Sequence, residues 1–402
     1  MRFHRGLTLR LILIAAIIIG LTVRSMRQQA DTGTCGGQSI TVPFTDVMSS
    51  VFFCQIAEAY FSGLTNGTSA TTYSPGAIVT REQMAAFITR TQDSALRSGS
   101  TRAALDQFWT TTPRYLSSAG GLGTTTVGAT PALVQSDGAD IWVANLGSGT
   151  VSRVRASDGK LLNSWTGATS AFGVLVARGK VFVTGDRTPG SLYMIDPTQT
   201  GGAVTVVSTA LGNSPQGLTY DGSRVWTANQ NGSVSIVTPT MATPWSVVNV
   251  TTGFLNPLGI LFDGSNIWVT DAGANSLLKL DQNGAIVQTV NVDVDPHFPA
   301  FDGTNIWVPH RFNDSVSVVR AATGNVIATL TGNGLSGPNQ AAFDGQRILI
   351  TNFSGDSVSL WKAADLTPIG TVAGAATGPW GACSDGVSFW ITLFSGNQVA
   401  RF

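Results

Sequence analysis

The sequence predicts a mainly β protein: a seven-bladed β-propeller of four-stranded blades, closed by an N-terminal strand at 124–127, with a small helical module ahead of it. Three observations predict this. A motif Asp-Gly-x-x-(Ile/Val/Phe)-Trp recurs with its glycines at Gly138, Gly179, Gly222, Gly264, Gly303, Gly345 and Gly386, spaced 41, 43, 42, 39, 42 and 41 residues apart. Each interval carries four short strand-like segments, the period of a propeller blade. The last copy ends at Phe402 after its third strand, while a spare strand at 124–127 precedes the first. One small sheet cannot cover both of its faces, so such units must stack on one another, and a strand borrowed from the start completes the last.

Composition agrees. The chain has 402 residues, 43% hydrophobic and 11% charged, with 46 Gly. That is too apolar and too weakly charged for long disorder, and Gly with abundant Thr, Ser, Val and Asn favours strands and tight turns. The 23 basic and 23 acidic residues balance, but region 123–402 carries a net −4, the wrong sign for a nucleic-acid surface. The two Glu, Glu58 and Glu82, both precede that region.

Taken in order, the N-terminus reads as an export signal over 1–30. Arg2, Arg5 and Arg10 precede an apolar run at 11–23, closed by Arg24. The run is short for a membrane span and suits a signal peptide or signal anchor, so the protein is expected outside the cytoplasm, at the cell surface or envelope. Cys35 and Cys54 follow, 19 residues apart, and in an exported chain are expected to form a disulfide contributing roughly 3 kcal/mol by loop closure. Cys383, alone in an apolar strand, reads as a small buried hydrophobe.

Residues 35–98 form the helical module. Apolar residues recur at helical spacing over 51–61 and stop at Ser62-Gly63. A second helix starts at Thr80, where Gln83 three residues on makes a capping box and Glu82 suits the first turn; Met84, Phe87 and Ile88 supply its apolar face. Residues 99–122 read as a linker, and the propeller occupies 123–402.

The module resembles the S-layer homology domain. The matching text is Pro43-Phe44-Thr45-Asp46-Val47, Ile56-Ala57, Gly63-Leu64-Thr65-Asn66-Gly67, Tyr73-Ser74-Pro75 and Val79-Thr80-Arg81-Glu82-Gln83-Met84-Ala85-Ala86-Phe87. The resemblance implies non-covalent attachment to a cell-wall polysaccharide or peptidoglycan, with Arg81 as the polymer contact. Gln83 stands where the family usually has Glu, and one copy is present where members commonly carry three. The strand text Ile-Trp-Val-Thr and Ile-Leu-Ile-Thr-Asn looks like the Tyr-Val-Thr-Asn propellers and is similar to the NHL and virginiamycin B lyase groups.

Within the ring, the Asp-Gly pairs read as hairpin turns, both residues tolerating positive φ. Candidate site residues lie at the opposite face. The first strands are entered by Pro131, Ala171, Pro215, Pro257, Pro296, Pro338 and Pro379, and the next residues, Ala132, Phe172, Gln216, Leu258, His297, Asn339 and Trp380, are expected to ring the channel mouth. Hairpin positions Asn145, Asp186, Asn229, Asp271, His310, Asn352 and Leu393 lie on the same side. His297 and His310, the histidines outside the signal, both fall in the fifth copy, with Asp293, Asp295 and Arg311 nearby.

Two functions follow as expectations. The first is a surface-displayed module binding a small molecule, glycan or protein at the mouth, through Phe172, Gln216, Leu258, His297, Asn339, Trp380 and Arg311, without chemistry or cofactor. The alternative is a lyase or hydrolase. There the resemblance to virginiamycin B lyase implies an acid–base His with an acidic partner and a divalent cation, and His297, His310 and Asp271 are the candidate catalytic residues. Two His and no Glu in the ring make a poor metal donor set, and none is assigned.

Overall fold

The computed structural model describes residues 30–35, 38–61, 64–97, 123–373 and 377–402. Residues 1–29 of the expected export segment, and the expected linker 99–122, lie outside the described residues. Among the described residues no helix is long and apolar enough to cross a membrane.

The chain divides into two units, taken here one at a time. In the N-terminal unit, strands β1 (Thr32–Cys35) and β2 (Gln38–Thr41) pair antiparallel. Helix α1 (Phe53–Phe61) buries Phe53, Ile56 and Ala57 against Val42, Phe44 and Val47. The Cys35 and Cys54 sulfurs are bonded, tying the end of β1 to α1. Two aspartates do work that spacing did not reveal. Asp31 Oδ2 accepts the N–H groups of Val47 and Met48, and Asp46 accepts those of Tyr73 and Ser74. Helix α2 (Arg81–Arg97) opens on the capping box: Gln83 Oε1 takes the Thr80 N–H at 2.9 Å and Thr80 Oγ1 takes the Gln83 N–H at 3.2 Å. Its expected apolar face is not covered: Met84 and Ile88 are exposed and Phe87 is half-buried.

The second unit is a seven-bladed propeller. Blade one runs Pro131–Ser136, Asp140–Asn145, Thr150–Arg155 and Leu161–Thr166. Blades two to six start at Ala171–Ala177, Pro215–Tyr220, Pro257–Phe262, Ala300–Phe301 and Pro338–Phe343. Blade seven is Pro379–Ser384, Phe389–Leu393 and Gln398–Arg401, completed by Gly123–Thr126. That closing strand pairs antiparallel from Gly123 opposite Arg401 to Thr126 opposite Gln398. Blade one departs from the four-stranded expectation: Gly202–Ala203 adds a parallel fifth strand to its outer edge.

Seven apolar clusters sit between neighbouring blades, and they are the core. Trp142 and Trp165 of blade one pack on Val181 and Tyr193 of blade two, and the series runs round to Val399 and Trp390 of blade seven against Ile141 and Val143 of blade one. Burial of apolar sheet faces drives this stacking, at roughly 25 cal/mol per Å².

The Asp-Gly turns differ from their expected geometry. In six blades only the Gly has positive φ, from 87° to 100°, while the Asp side chain caps the turn. Asp137 Oδ1 accepts the Ala139 and Asp140 N–H groups, and its Oδ2 accepts Trp142 Nε1–H at 2.9 Å. The same Trp bond recurs at Asp221, Asp263, Asp302 and Asp385. Blade two, which has Arg178 for Asp and Phe182 for Trp, instead makes a turn with φ positive at both Arg178 and Gly179. Blade six has Leu349 for Trp, and there Arg347 supplies the donor, Nε to Asp344 Oδ2 at 2.7 Å.

Candidate functional site

The seven first strands surround a cavity of about 220 Å³, lined in part by Gln135, Thr219, Leu261, Gln340 and Cys383. Burial raises the Cys383 thiol well above its ordinary pKa. Four blades carry Gly at the third position of the first strand, for want of room: a Cβ on Gly381 would lie 2.5 Å from the Ala132 carbonyl oxygen of the next blade. Threonines reinforce this approach. Thr392 Oγ1 accepts the Gly381 N–H at 2.7 Å and donates to Ala132 O at 2.6 Å, and Thr184 and Thr351 bridge in the same way to Gln216 O and Trp380 O.

Blade five has neither feature: Phe298 stands in the glycine position and Pro309 in the threonine position, where blade one has Leu133 and Ala144. Pro299 and Pro309 have no N–H to give the ladder, and the inner strand is interrupted between the Pro296–His310 bridge and the Ala300–Trp307 pair. Phe298 bridges Gln340 of blade six in parallel, giving its N–H to Asn339 O and taking the Ala341 N–H, and regular strand resumes only at Ala300. The Phe298 ring turns into the channel and packs on Leu133 and Phe172. The expected open mouth is thus plugged: Ala132, Phe172, Gln216, Leu258, His297 and Asn339 are buried, and of the seven only Trp380 is partly exposed.

His297 lies at this break with both ring nitrogens engaged. Asn339 Nδ2 donates to the Trp380 carbonyl at 2.9 Å, which turns Asn339 Oδ1 toward His297 Nδ1, also at 2.9 Å. Carboxamide oxygen is an acceptor, so Nδ1 carries hydrogen. On the other side, Nε2 meets Asp295 Oδ2 at 3.1 Å, and one proton lies between imidazole and carboxyl. Asp295 is the more accessible partner, its side chain 16% exposed against 8% for His297. Its backbone is fixed by Asn275 Oδ1 and by the Arg311 N–H.

His310 is not brought to the mouth. It closes its blade's second strand with no exposed surface, Nε2 2.9 Å from Ser317 Oγ. Asn145, Asn229 and Asn352 occupy the same slot and bond the matching serines, so His310 replaces a structural amide. Burial lowers its pKa to about 4, against the opposing pull of Asp293. Asp271 fills this slot in blade four, its carboxylate accepting the N–H groups of Leu255, Asn256 and Ala274. In blade two the slot belongs to Gly185; Asp186 is the residue after it.

The residues after the slot form the actual rim: Leu146, Asp186, Gln230, Ala272, Arg311, Phe353 and Phe394, each giving its N–H to the residue before the blade's entry position. Their periodic place after the second strand was the signal that could have found them. Over blades five to seven this rim is aromatic. Phe353 stands perpendicular to Trp380 at 5.0 Å, Phe394 stacks on Trp380 at 5.0 Å, and Arg311 Cζ sits 4.8 Å from the Phe353 ring and 5.3 Å from the Trp380 ring.

A divalent cation needs several oxygen donors. Among the described residues no group of three His, Cys, Asp or Glu could hold a metal ion, and the rim carboxylate of Asp295 is already engaged by His297. These residues do not fit a cation.

No protein-family model matches the chain, and no curated protein does. Solved structures share its propeller fold at low identity. A streptogramin B lyase structure is 15% identical with a TM-score of 0.59, covering 70% of this chain and 96% of its own. A catalytically inactive histidine-to-alanine variant of virginiamycin B lyase from Staphylococcus aureus, with quinupristin, is 13% identical with a TM-score of 0.57, covering 70% and 98%. Kuenenia stuttgartiensis hydrazine synthase is 17% identical with a TM-score of 0.58, covering 69% and 97%. At these identities the likeness is one of fold.

Proposed function

We propose that the rim over blades five to seven is the active site of a lyase- or hydrolase-type enzyme acting on an ester or lactone linkage. The carrying observation is the Asp295–His297–Asn339 chain, built where the repeat is broken. Among the described residues blade five is the blade whose first strand shrinks to two residues, Ala300–Phe301, and departures from a repeat concentrate at functional sites. Asp295 is the base at the rim. His297 holds its carboxylate in one orientation, and Asn339 fixes the imidazole tautomer. Substrate rests against Trp380, Phe353 and Phe394. The fold likeness to lyases, one of them inactivated by loss of a histidine, supports this reading. The test is turnover by the full chain on a panel of esters and lactones. Turnover that drops about 10²- to 10⁴-fold in His297→Ala or Asp295→Asn supports the reading. No turnover across the panel, or turnover indifferent to both changes, rejects it.

A second reading, binding without chemistry, draws on the engagement of both His297 nitrogens. Ligand retained by a parent that turns nothing over favours it.

For the N-terminal unit, the proposal is attachment of an exported protein to cell-wall polymer. Arg81 is exposed at the start of α2, and its planar fork suits an acidic glycan. Pull-down on isolated cell walls, with and without residues 35–98 and with Arg81→Ala, tests it; equal binding by all three forms rejects it.

A further inference from the structure

We propose that Arg311 is the anion clamp of this site, so that the substrate carries a carboxylate or comparable oxyanion beside a flat apolar group. This rests on the reading of the rim as the place where substrate binds.

Arg311 is unlike the other ring-stacked arginines. Arg153 lies over Trp142 and holds Asp140, Arg224 lies over Trp226 and holds Asp221, and Arg347 lies over Phe389 and holds Asp344. Each is committed to an aspartate of its own blade. Arg311 is held in the angle between two perpendicular rings, Phe353 and Trp380, which belong to two other blades. Among the described residues its guanidinium has neither a carboxylate in ion-pair contact nor a hydrogen-bond acceptor. The neighbouring Asp295 carboxylate is turned to His297 instead.

Stacking orients a guanidinium without using its N–H groups, which lie in its plane. Such a fork takes a carboxylate through two parallel bonds. The repeat has no structural use for Arg here, since Leu146, Gln230 and Ala272 serve at the same rim position. The Arg311 N–H bonds the Asp295 carbonyl at 3.2 Å, so the two residues are neighbours on the rim.

The experiment compares 2-naphthoate with the uncharged 2-naphthamide by calorimetry on the full chain, in the parent, Arg311→Met and Arg311→Lys. The same forms are assayed on ester substrates paired with and without a free carboxylate. The clamp predicts naphthoate binding at least ten-fold tighter than naphthamide in the parent, near parity in Arg311→Met, and an intermediate preference in Arg311→Lys, which keeps the charge but not the fork. For carboxylated esters, Arg311→Met should raise KM far more than it lowers kcat. Equal binding of the two probes, no naphthoate binding, or a preference surviving Arg311→Met overturns the clamp. The parent comparison needs no variant to fold. Naphthoate preference without turnover of any ester leaves the clamp standing and removes the enzyme reading; turnover indifferent to the carboxylate does the reverse.

Discussion

The carboxamide of Asn339, in blade six, holds the imidazole of His297, in blade five, with Oδ1 2.9 Å from Nδ1. The bond crosses the seam at which blade five leaves its regular strand. It fixes the ring and leaves Nε2 for Asp295. Asn339→Leu should therefore disorder the pair while the ring still closes. The expected result is a thermal midpoint within a few degrees of the parent and a turnover loss approaching that of His297→Ala; unchanged turnover would separate Asn339 from the site.

His310 should make the propeller acid-sensitive. Its folded-state pKa, about 4, lies below the ordinary 6.5 because burial disfavours the charged ring. The unfolded chain thus takes up a proton before the folded one does. The stability this represents is whole above pH 6.5 and is lost as pH falls toward 4, up to roughly 3 kcal/mol. His310→Asn restores the amide used at Asn145, Asn229 and Asn352, and should flatten that part of the stability curve. Urea midpoints between pH 4 and 7 measure it.

Thr392 bridges the closing seam, from blade seven to Ala132 of blade one. Thr392→Val keeps the shape but leaves the Gly381 N–H and the Ala132 carbonyl without their partner. The expected loss is about 1–3 kcal/mol by denaturant unfolding. A change within error would mean that the hydroxyl bridge does not hold the ring shut.

In blade four, Trp268 Nε1 donates to Asp263 Oδ2 at 2.7 Å. Trp268→Phe should lower stability by about 1.5–3 kcal/mol, the range for a hydrogen bond to a charged group. If the Asp instead serves only through its backbone conformation, the substitution will cost no more than its lost packing, and Asp263→Asn will be equally mild.

The ring was legible because its period repeats in plain text: seven turns, an aromatic partner in six of them, and a strand spare at the start where one is missing at the end. The blade-five break was written there too, in Phe298 and Pro309, but as two departures from patterns whose purpose emerges only in three dimensions. Glycine at four of the third positions matters because a neighbouring backbone passes within 2.5 Å of where a Cβ would be at Gly381. Nothing in one strand reports that. His310 looked chemical because histidine is rare here, yet its slot is set by the Ser317 hydroxyl on the next strand. In the sequence Arg347 has no mark that distinguishes it from a surface charge; its burial goes with Leu349, which leaves Asp344 without the usual indole. Periodicity gave α2 an apolar stripe, but cannot say what covers it.

Proton transfer at the rim falls to Asp295 in the proposed reaction. The decisive measurement is steady-state turnover and, separately, ligand affinity for Asp295→Asn on whichever ester or lactone the parent processes. Affinity within a few-fold of the parent with kcat reduced about 10²-fold or more is the predicted result. Retained kcat, or affinity and kcat lost together with the fold, would contradict it.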